Sequence, residues 1–123
     1  MNAANILLVD DNDDVREITA LILRDCGYNV LEASSGRAAL DVLDANPAID
    51  LLIVDFAMPA MSGTEVLERA RAKRPEIRAA FITGYADQPR LSGTFENDLV
   101  IRKPFTADQI VLAVRRALGQ SEE

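Results

Sequence analysis

The fold is decided by residues 50–56, which read DLLIVDF: an unbroken run of large apolar residues followed at once by Asp55. A continuous apolar run of this length is typical of a strand buried on both faces of a sheet. Three further runs in the chain have the same form. They are ILLV before Asp10 and Asp11, AAFI before Thr83, and LVIR before Lys103 and Pro104.

Segments with apolar residues at helical spacing alternate with the strands. The first predicted helix carries Val15, Ile18, Ile22 and Cys26 on one face and ends at Gly27. Strands that alternate with amphipathic helices form right-handed βαβ units, which makes the sheet parallel and places helices on both of its faces. The pattern predicts a single α/β domain of five strands and five helices. The predicted strands are residues 5–10, 28–33, 50–56, 79–83 and 99–103.

Polar residues predict where the helices begin. Asn12 or Asp13 can cap the first helix and Ser35 the second. Capping boxes are predicted at residues 62–65 and 106–109, where Ser or Thr is followed three residues later by Glu or Gln. The fourth helix, expected between Gly84 and Asp98, is predicted to be short or frayed because the segment contains Pro89 and Gly93.

The composition narrows the classes of function. The 123 residues carry a net charge of −7, which argues against sequence-independent binding to nucleic acid or to anionic membranes. No apolar run is long enough to span a bilayer, no signal peptide is evident, and Cys26 is the only cysteine. We therefore expect a cytoplasmic protein without membrane insertion. The absence of histidine removes the commonest zinc ligand.

The polar residues that follow the strands predict a site. The carboxyl ends of parallel strands share one edge of the sheet, where ligands bind in open α/β folds. Asp10, Asp11 and Asp55 offer the hard oxygen ligands that Mg²⁺ prefers, whereas Thr83 offers a hydroxyl and Lys103 a positive charge for a phosphoryl oxygen. Each of these residues alone would be an ordinary strand-end or cap residue. Together they predict a site for a divalent metal and a phosphoryl group.

Nucleotide binding is not supported by the sequence, because the chain contains neither of the glycine-rich phosphate-binding motifs GxxxxGK[ST] and GxGxxG. Phosphoryl chemistry on a carboxylate remains. Asp55 stands alone at the end of the central strand, and a carboxylate is a competent nucleophile toward phosphorus when a metal screens its charge.

These motifs resemble those of response-regulator receiver domains: DD at 10–11, LLIVD ending at Asp55 with the MPxMSG loop after it, FITG with Thr83, and KPF with Lys103. The resemblance covers essentially the whole chain. It implies a flavodoxin-like, doubly wound, five-stranded parallel sheet of order 2-1-3-4-5 in a single receiver domain over residues 1–123, with a core at about 4–119.

The resemblance also implies roles for residues. Asp55 is the expected phosphoacceptor, and Asp10, Asp11, Asp55 and the backbone carbonyl of Ala57 are the expected ligands of Mg²⁺ or Mn²⁺. Thr83 and Lys103 are expected to stabilise the phosphoryl group and act as switch residues. The peptide bond before Pro104 is expected to be cis.

One position departs from the family pattern. Many receivers carry an aromatic switch residue three positions before the lysine, whereas this chain has Val100. We hypothesise that the output passes instead through the loop with Gly84 and Tyr85 or through the last helix. The weak fourth helix argues against dimerisation through the face built from helix four, strand five and helix five, although a weak dimer stays open.

The function implied is a phosphorelay switch. A sensor histidine kinase or a histidine phosphotransfer domain donates a phosphoryl group to Asp55, and the altered conformation signals to an output protein whose identity the chain does not reveal. Such a domain assists its own phosphorylation and dephosphorylation without being an enzyme for another substrate. The turns resemble those of receivers fused to hybrid sensor kinases, and a free-standing receiver is about equally compatible.

Two other functions stay open. The first is a pseudo-receiver that acts as a docking domain without phosphorylation, which the intact set of site residues argues against. The second is an aspartyl-phosphate phosphatase or phosphotransferase. Such an enzyme usually has a second acidic residue two positions after the nucleophile, where this chain has Ala57.

Overall fold

Five parallel strands form one sheet in the order β2-β1-β3-β4-β5. The computed structural model describes residues 3–84 and 98–119. The strands are β1 (Asn5–Val9), β2 (Asn29–Ala33), β3 (Leu51–Asp55), β4 (Arg78–Thr83) and β5 (Leu99–Arg102), and the helices in the described ranges are α1 (Asp13–Asp25), α2 (Gly36–Ala45), α3 (Gly63–Lys73) and α4 (Ala107–Ala117). The predicted flavodoxin-like sheet and its strand order are confirmed.

The three central strands, β1, β3 and β4, are buried on both faces because they are apolar at successive positions rather than at alternate ones. All five residues of β3 are buried, and β3 pairs with β1 on one side and β4 on the other. Leu52, Val54 and Phe81 pack on one face with residues of α2 and α3, whereas Leu51 and Ile53 pack on the other with residues of α1 and α4. This double burial confirms that β3 is the central strand.

The strand ends set the position of the polar residues. Both β1 and β5 end one residue earlier than predicted, so Asp10 and Lys103 are the first residues of their loops, while Asp55 and Thr83 close their strands. Along the sheet, Asp55 lies opposite Ile82 and Thr83 lies opposite Arg102.

Side-chain caps begin the four described helices. The N-caps are Asn12, Ser35, Ser62 and Thr106, and each side chain accepts a hydrogen bond from a backbone N–H inside its helix. The capping box at 106–109 is confirmed, with both reciprocal bonds present. At 62–65 the bond from the Glu65 N–H to Ser62 is formed, while the Glu65 carboxylate pairs with Arg69 one turn later.

The predicted apolar face of α1 was wrong in part. Ile22 packs against the core, whereas Ile18 is 60% exposed and Cys26 is exposed. The buried residues of this helix are Thr19, Ala20 and Leu23. Apolar residues lie on more than one side of α1, so helical spacing alone did not decide which side meets the sheet.

The helix predicted between Gly84 and Asp98 lies outside the described residues. In the described part of the chain, no helix is both long and apolar enough to cross a bilayer.

A bidentate ion pair fastens the beginning of β5 to α3. The Arg71 guanidinium donates to both carboxylate oxygens of Asp98, at 2.8 and 2.9 Å, and also to the carbonyl of Ile77 just before β4. The side chains of Arg71 and Asp98 are only 19% and 10% exposed. Removal of either partner therefore leaves a largely desolvated charge.

We predict that Asp98→Ala lowers the free energy of unfolding by about 2–3 kcal/mol, because it leaves the Arg71 charge without its carboxylate. The matched control is Asp44→Ala, which removes an exposed pair with Lys73 and is expected to cost less than about 0.5 kcal/mol. Urea denaturation measures both values. Equal losses in the two variants would contradict this account of the Arg71–Asp98 pair.

Candidate functional site

Three carboxylates meet at the carboxyl edge of the sheet. Asp10 and Asp11 follow β1, and Asp55 is the last residue of the neighbouring strand β3. One carboxylate oxygen from each lies within 4.8 Å of the other two. Asp10 and Asp55 are buried and Asp11 is exposed, so the cluster opens to solvent on the side of Asp11.

One ammonium group faces this cluster. The Nζ atom of Lys103 lies 3.4 Å from Oδ2 of Asp10 and 3.9 Å from Oδ2 of Asp55. The Lys103 side chain is 25% exposed. Its charge therefore offsets part of the negative charge of two aspartates at once, at distances where the attraction is appreciable even near a protein surface.

Two buried oxygen atoms of the site have no hydrogen-bond partner among the described residues. They are Oδ2 of Asp10 and Oγ1 of Thr83. Thr83 is fully buried at the end of β4, and its carbonyl accepts a hydrogen bond from the Lys103 N–H at 2.8 Å. A buried polar atom without a partner costs free energy. Such atoms mark positions where a bound ion or ligand can supply the missing interaction.

The loop from β3 to α3 holds the backbone of Asp55 closely. A Cβ at Gly63 would lie 2.5 Å from the Asp55 carbonyl oxygen, and the Gly63 N–H donates to the carbonyl of Phe56 at 2.9 Å. Only glycine permits this approach. Gly63 thus allows the N-terminus of α3 to pack against the end of β3.

Burial dominates the electrostatics of Asp55. Desolvation, followed by the negative charge of Asp10, raises the pKa of the Asp55 carboxyl from 3.8 to about 7, although the Lys103 charge acts in the opposite direction. The folded protein therefore prefers the neutral form of Asp55 over a range of pH in which the unfolded chain is ionised. A bound cation would favour the ionised form.

The donor set fits a hard divalent cation. Carboxylate oxygens are the ligands that Mg²⁺ prefers, and Mg²⁺ keeps several waters rather than demanding a full protein cage. Three converging carboxylates provide such a partial set of ligands, and one buried oxygen of the three has no hydrogen bond among the described residues. Ala57 lies two residues beyond Asp55 in the exposed part of the β3–α3 loop.

The remaining predicted residues lie beside this cluster or outside the described chain. The Lys103–Pro104 peptide bond is cis, the isomer that the resemblance implied. Val100 lies on β5 with 37% of its surface exposed. Tyr85 lies outside the described residues.

One residue that contacts the site was missed by the sequence analysis. The Arg16 side chain donates to the carbonyl of Asp10 at 2.9 Å. An arginine in the second turn of an amphipathic helix normally reads as a solvated charge, so no sequence signal identified it. Only the packing of α1 beside the end of β1 reveals the contact.

We predict that Asp55→Asn stabilises the metal-free protein at neutral pH. As the pH rises from about 4 to about 7, the unfolded chain releases the Asp55 proton while the folded protein retains it, so this group lowers the stability of the wild type. Asparagine cannot ionise. We therefore expect the variant to gain up to about 4 kcal/mol relative to the wild type at pH 8 and less than about 1 kcal/mol near pH 4. Urea denaturation in EDTA across this pH range measures the difference, and a difference that does not change with pH would contradict the prediction.

Comparison with known proteins gives a consistent family. The family model described as the response regulator receiver domain matches residues 6–115. The response regulator receiver protein CpdR of Brucella abortus is 32% identical over a region that covers 92% of this chain and 95% of that protein. The sensor kinase CckA of the same organism is 31% identical over a region that covers 98% of this chain but only 13% of the kinase.

Solved structures agree with the sheet described above. The crystal structure of a response regulator receiver domain protein from Clostridium thermocellum superposes with a TM-score of 0.85 at 28% identity, and the match covers 94% of each chain. The similarity therefore extends over nearly the whole of both chains.

Proposed function

The chain belongs to the response regulator receiver domain family, and on that premise we propose that it is a phosphoacceptor switch of a two-component phosphorelay. In this proposal Asp55 accepts a phosphoryl group from a phosphohistidine on a sensor histidine kinase or a histidine phosphotransfer domain. The observation that carries it is the convergence of Asp10, Asp11 and Lys103 on the buried carboxylate of Asp55.

The chain's own residues supply the chemistry of the transfer. An oxygen of the Asp55 carboxylate attacks the phosphorus atom, and the bond between phosphorus and the histidine nitrogen breaks. The electron pair of that bond returns to the imidazole, which takes up a proton. Lys103 lies close enough to Asp55 for its ammonium to bind an oxygen of the transferred group.

The acidic cluster would hold Mg²⁺ or Mn²⁺ through the carboxylates of Asp10, Asp11 and Asp55, together with the backbone carbonyl of Ala57. When bound, the cation neutralises negative charge on the phosphoryl oxygens and on the carboxylates around them. The residues fit this role because the cluster has excess negative charge, and Oδ2 of Asp10 has no hydrogen bond among the described residues.

The switch follows from the new charge at Asp55. A phosphoryl group adds about −1.5 to −2 charges and several acceptor oxygens. Thr83 has a buried hydroxyl without a partner among the described residues, and Lys103 has an ammonium shared between two carboxylates. The Thr83 hydroxyl and the Lys103 ammonium can both donate hydrogen bonds to the phosphoryl oxygens, and this displaces the segments that follow β4 and β5. Since Val100 is not aromatic, the output passes through these loops, including Tyr85, or through α4.

The donor is proposed to dock on α1. Among the described residues, the exposed large hydrophobic side chains are Ile18, Leu21, Leu31 and Val100. Ile18 and Leu21 are each 60% exposed and lie three residues apart on the helix that follows the Asp10–Asp11 loop, so they are neighbours on one face. An exposed apolar face beside a reactive group is typical of a protein–protein contact.

A phosphatase or phosphotransferase for small substrates is less well supported. A cavity of about 840 Å³ lies at the other edge of the sheet, where Asn5 and Arg78 begin their strands. It is therefore far from Asp55 and supplies no substrate pocket for it. The position two residues after Asp55 is Ala57 rather than an acid.

The place of the domain in a larger protein is also a proposal. The chain spans 13% of the sensor kinase CckA but 95% of the receiver protein CpdR. A receiver within a sensor kinase and a receiver that makes up nearly a whole protein thus both have relatives. In either arrangement the output requires another protein domain.

We predict that incubation with acetyl phosphate and Mg²⁺ adds one phosphoryl group, detected by intact mass, and that Asp55→Asn abolishes the gain. Asp50→Asn is the matched control, because Asp50 immediately precedes the strand that Asp55 ends, and its carboxylate accepts a hydrogen bond from the Asn5 N–H. It should be phosphorylated like the wild type. A wild type that gains no mass would favour the docking function, whereas turnover of varied phosphate esters would favour the enzyme.

We predict that Leu21→Glu slows phosphoryl transfer from a phosphorylated histidine kinase by about 10-fold or more, because the charge disrupts an apolar contact. Phosphorylation by acetyl phosphate, which needs no docking surface, should be unchanged. Leu31→Glu is the control, since Leu31 is also an exposed leucine but lies on the edge strand β2. Equal slowing by both variants would contradict the assignment of α1 as the docking surface for the donor.

A further inference from the structure

Arg16 joins three parts of the structure beside the acidic cluster. Its Nη1 atom donates to the carbonyl of Asp10 at 2.9 Å, and its Nε atom donates to Oε1 of Glu32 on β2 at 3.2 Å. Nη1 also lies 2.8 Å from the Asp13 carboxylate, within the same helix. The Arg16 side chain is only 12% exposed, which is unusual for an arginine on a helix that faces solvent.

The contact with Asp10 completes a set of restraints on that residue. The Asp10 N–H donates to the carbonyl of Ala33 at 3.1 Å, and Oδ1 of Asp10 accepts from the Asn12 N–H at 2.9 Å. With the carbonyl bound to Arg16, each polar atom of Asp10 except Oδ2 has a hydrogen-bond partner. Oδ2 is the atom that lies nearest Lys103 and has no hydrogen bond among the described residues.

Glu32 orients the guanidinium group of Arg16. It accepts from Nε of Arg16 through one carboxylate oxygen and pairs through the other with Arg24, 3.2 Å away. Arg24 in turn donates to the carbonyl of Val30 at 2.7 Å. Because Glu32 is fixed on β2, the planar fork of Arg16 is held with Nη1 at the Asp10 carbonyl.

We propose that Arg16 is a positioning residue for the metal site. It fixes the backbone of Asp10, and with it the position of Oδ2, without being a ligand of the cation itself. Oδ2 has no hydrogen bond among the described residues and lies 3.4 Å from the Lys103 ammonium. This inference rests on the proposed function, since it assigns Arg16 a part in the cation binding that the function requires.

Charge alone predicts the opposite effect. A positive guanidinium near the acidic cluster repels a divalent cation, so its removal should tighten cation binding if Arg16 acted only through its charge. Loss of a positioning contact should instead weaken binding, because Asp10 is then free to leave the geometry that the cation requires. The sign of the change therefore separates the two effects.

The test is the Mg²⁺ affinity of Arg16→Gln, measured by isothermal titration calorimetry on the full chain at fixed ionic strength. We expect binding about 10-fold weaker than in the wild type. Arg24→Gln is the matched control: it removes the same charge from the same carboxylate, Glu32, but leaves the Asp10 contact in place. Its affinity should stay within about twofold of the wild type or become slightly tighter.

Several outcomes decide the matter. Unchanged or tighter binding by Arg16→Gln, or an equal loss in Arg24→Gln, would overturn the role of Arg16. If Arg16→Gln fails to fold in thermal melts, Arg16→Lys replaces it. Lysine keeps the charge but lacks the fork that reaches Glu32 and Asp10 together, so weaker binding supports the role and wild-type binding overturns it.

Failure of the proposed function is distinguishable from failure of this inference. A wild type that binds Mg²⁺ but gains no phosphoryl group at Asp55 would end the proposed function and leave the role of Arg16 standing. A wild type that binds no Mg²⁺ at all would end both.

Discussion

Crowding of the carboxylates of Asp10, Asp11 and Asp55 is the constraint on which the candidate site depends. Their oxygens lie within 4.8 Å of one another at an edge where two of the three residues are buried. At the low effective dielectric of such a place, like charges repel by kilocalories unless they are protonated or paired. Burial first, and the charge of Asp10 second, raise the pKa of Asp55, whereas the nearby Lys103 charge acts in the opposite direction.

The apolar sheet makes the crowding possible. Every residue of β3 is buried, so the strand cannot shift to carry Asp55 into solvent without exposing its apolar side chains. Gly63 then lets α3 approach the Asp55 carbonyl closely, and Arg16 holds the carbonyl of Asp10. Burial of the apolar core thereby holds ionisable groups in a desolvated position where their charged forms are unfavourable. A site of this kind is poised to bind a cation and to respond to added charge.

The candidate site and the proposed partner surface are separate. The Asp55 carboxylate is buried, whereas the exposed apolar residues of α1 lie on the helix that begins beside it. In the proposed function, a partner that docks on α1 brings its own reactive group toward the site. The cavity at the opposite edge of the sheet plays no part in this geometry.

Much of the fold and most of the site followed from the sequence. Continuous apolar runs predicted buried parallel strands, and the residues after them predicted the shared edge, because β-strands have only two faces and a parallel sheet has one carboxyl end. The predicted face of α1 was wrong at Ile18 and Cys26, since a helix can carry apolar residues on several sides and only packing selects the buried one. Arg16 and Gly63 emerged only in three dimensions, because their contacts depend on how α1 and α3 seat against the strand ends. The sequence by itself determined which groups reach the edge of the sheet; the tertiary structure decided which of them touch, because distances between strand ends depend on the packing of the whole core.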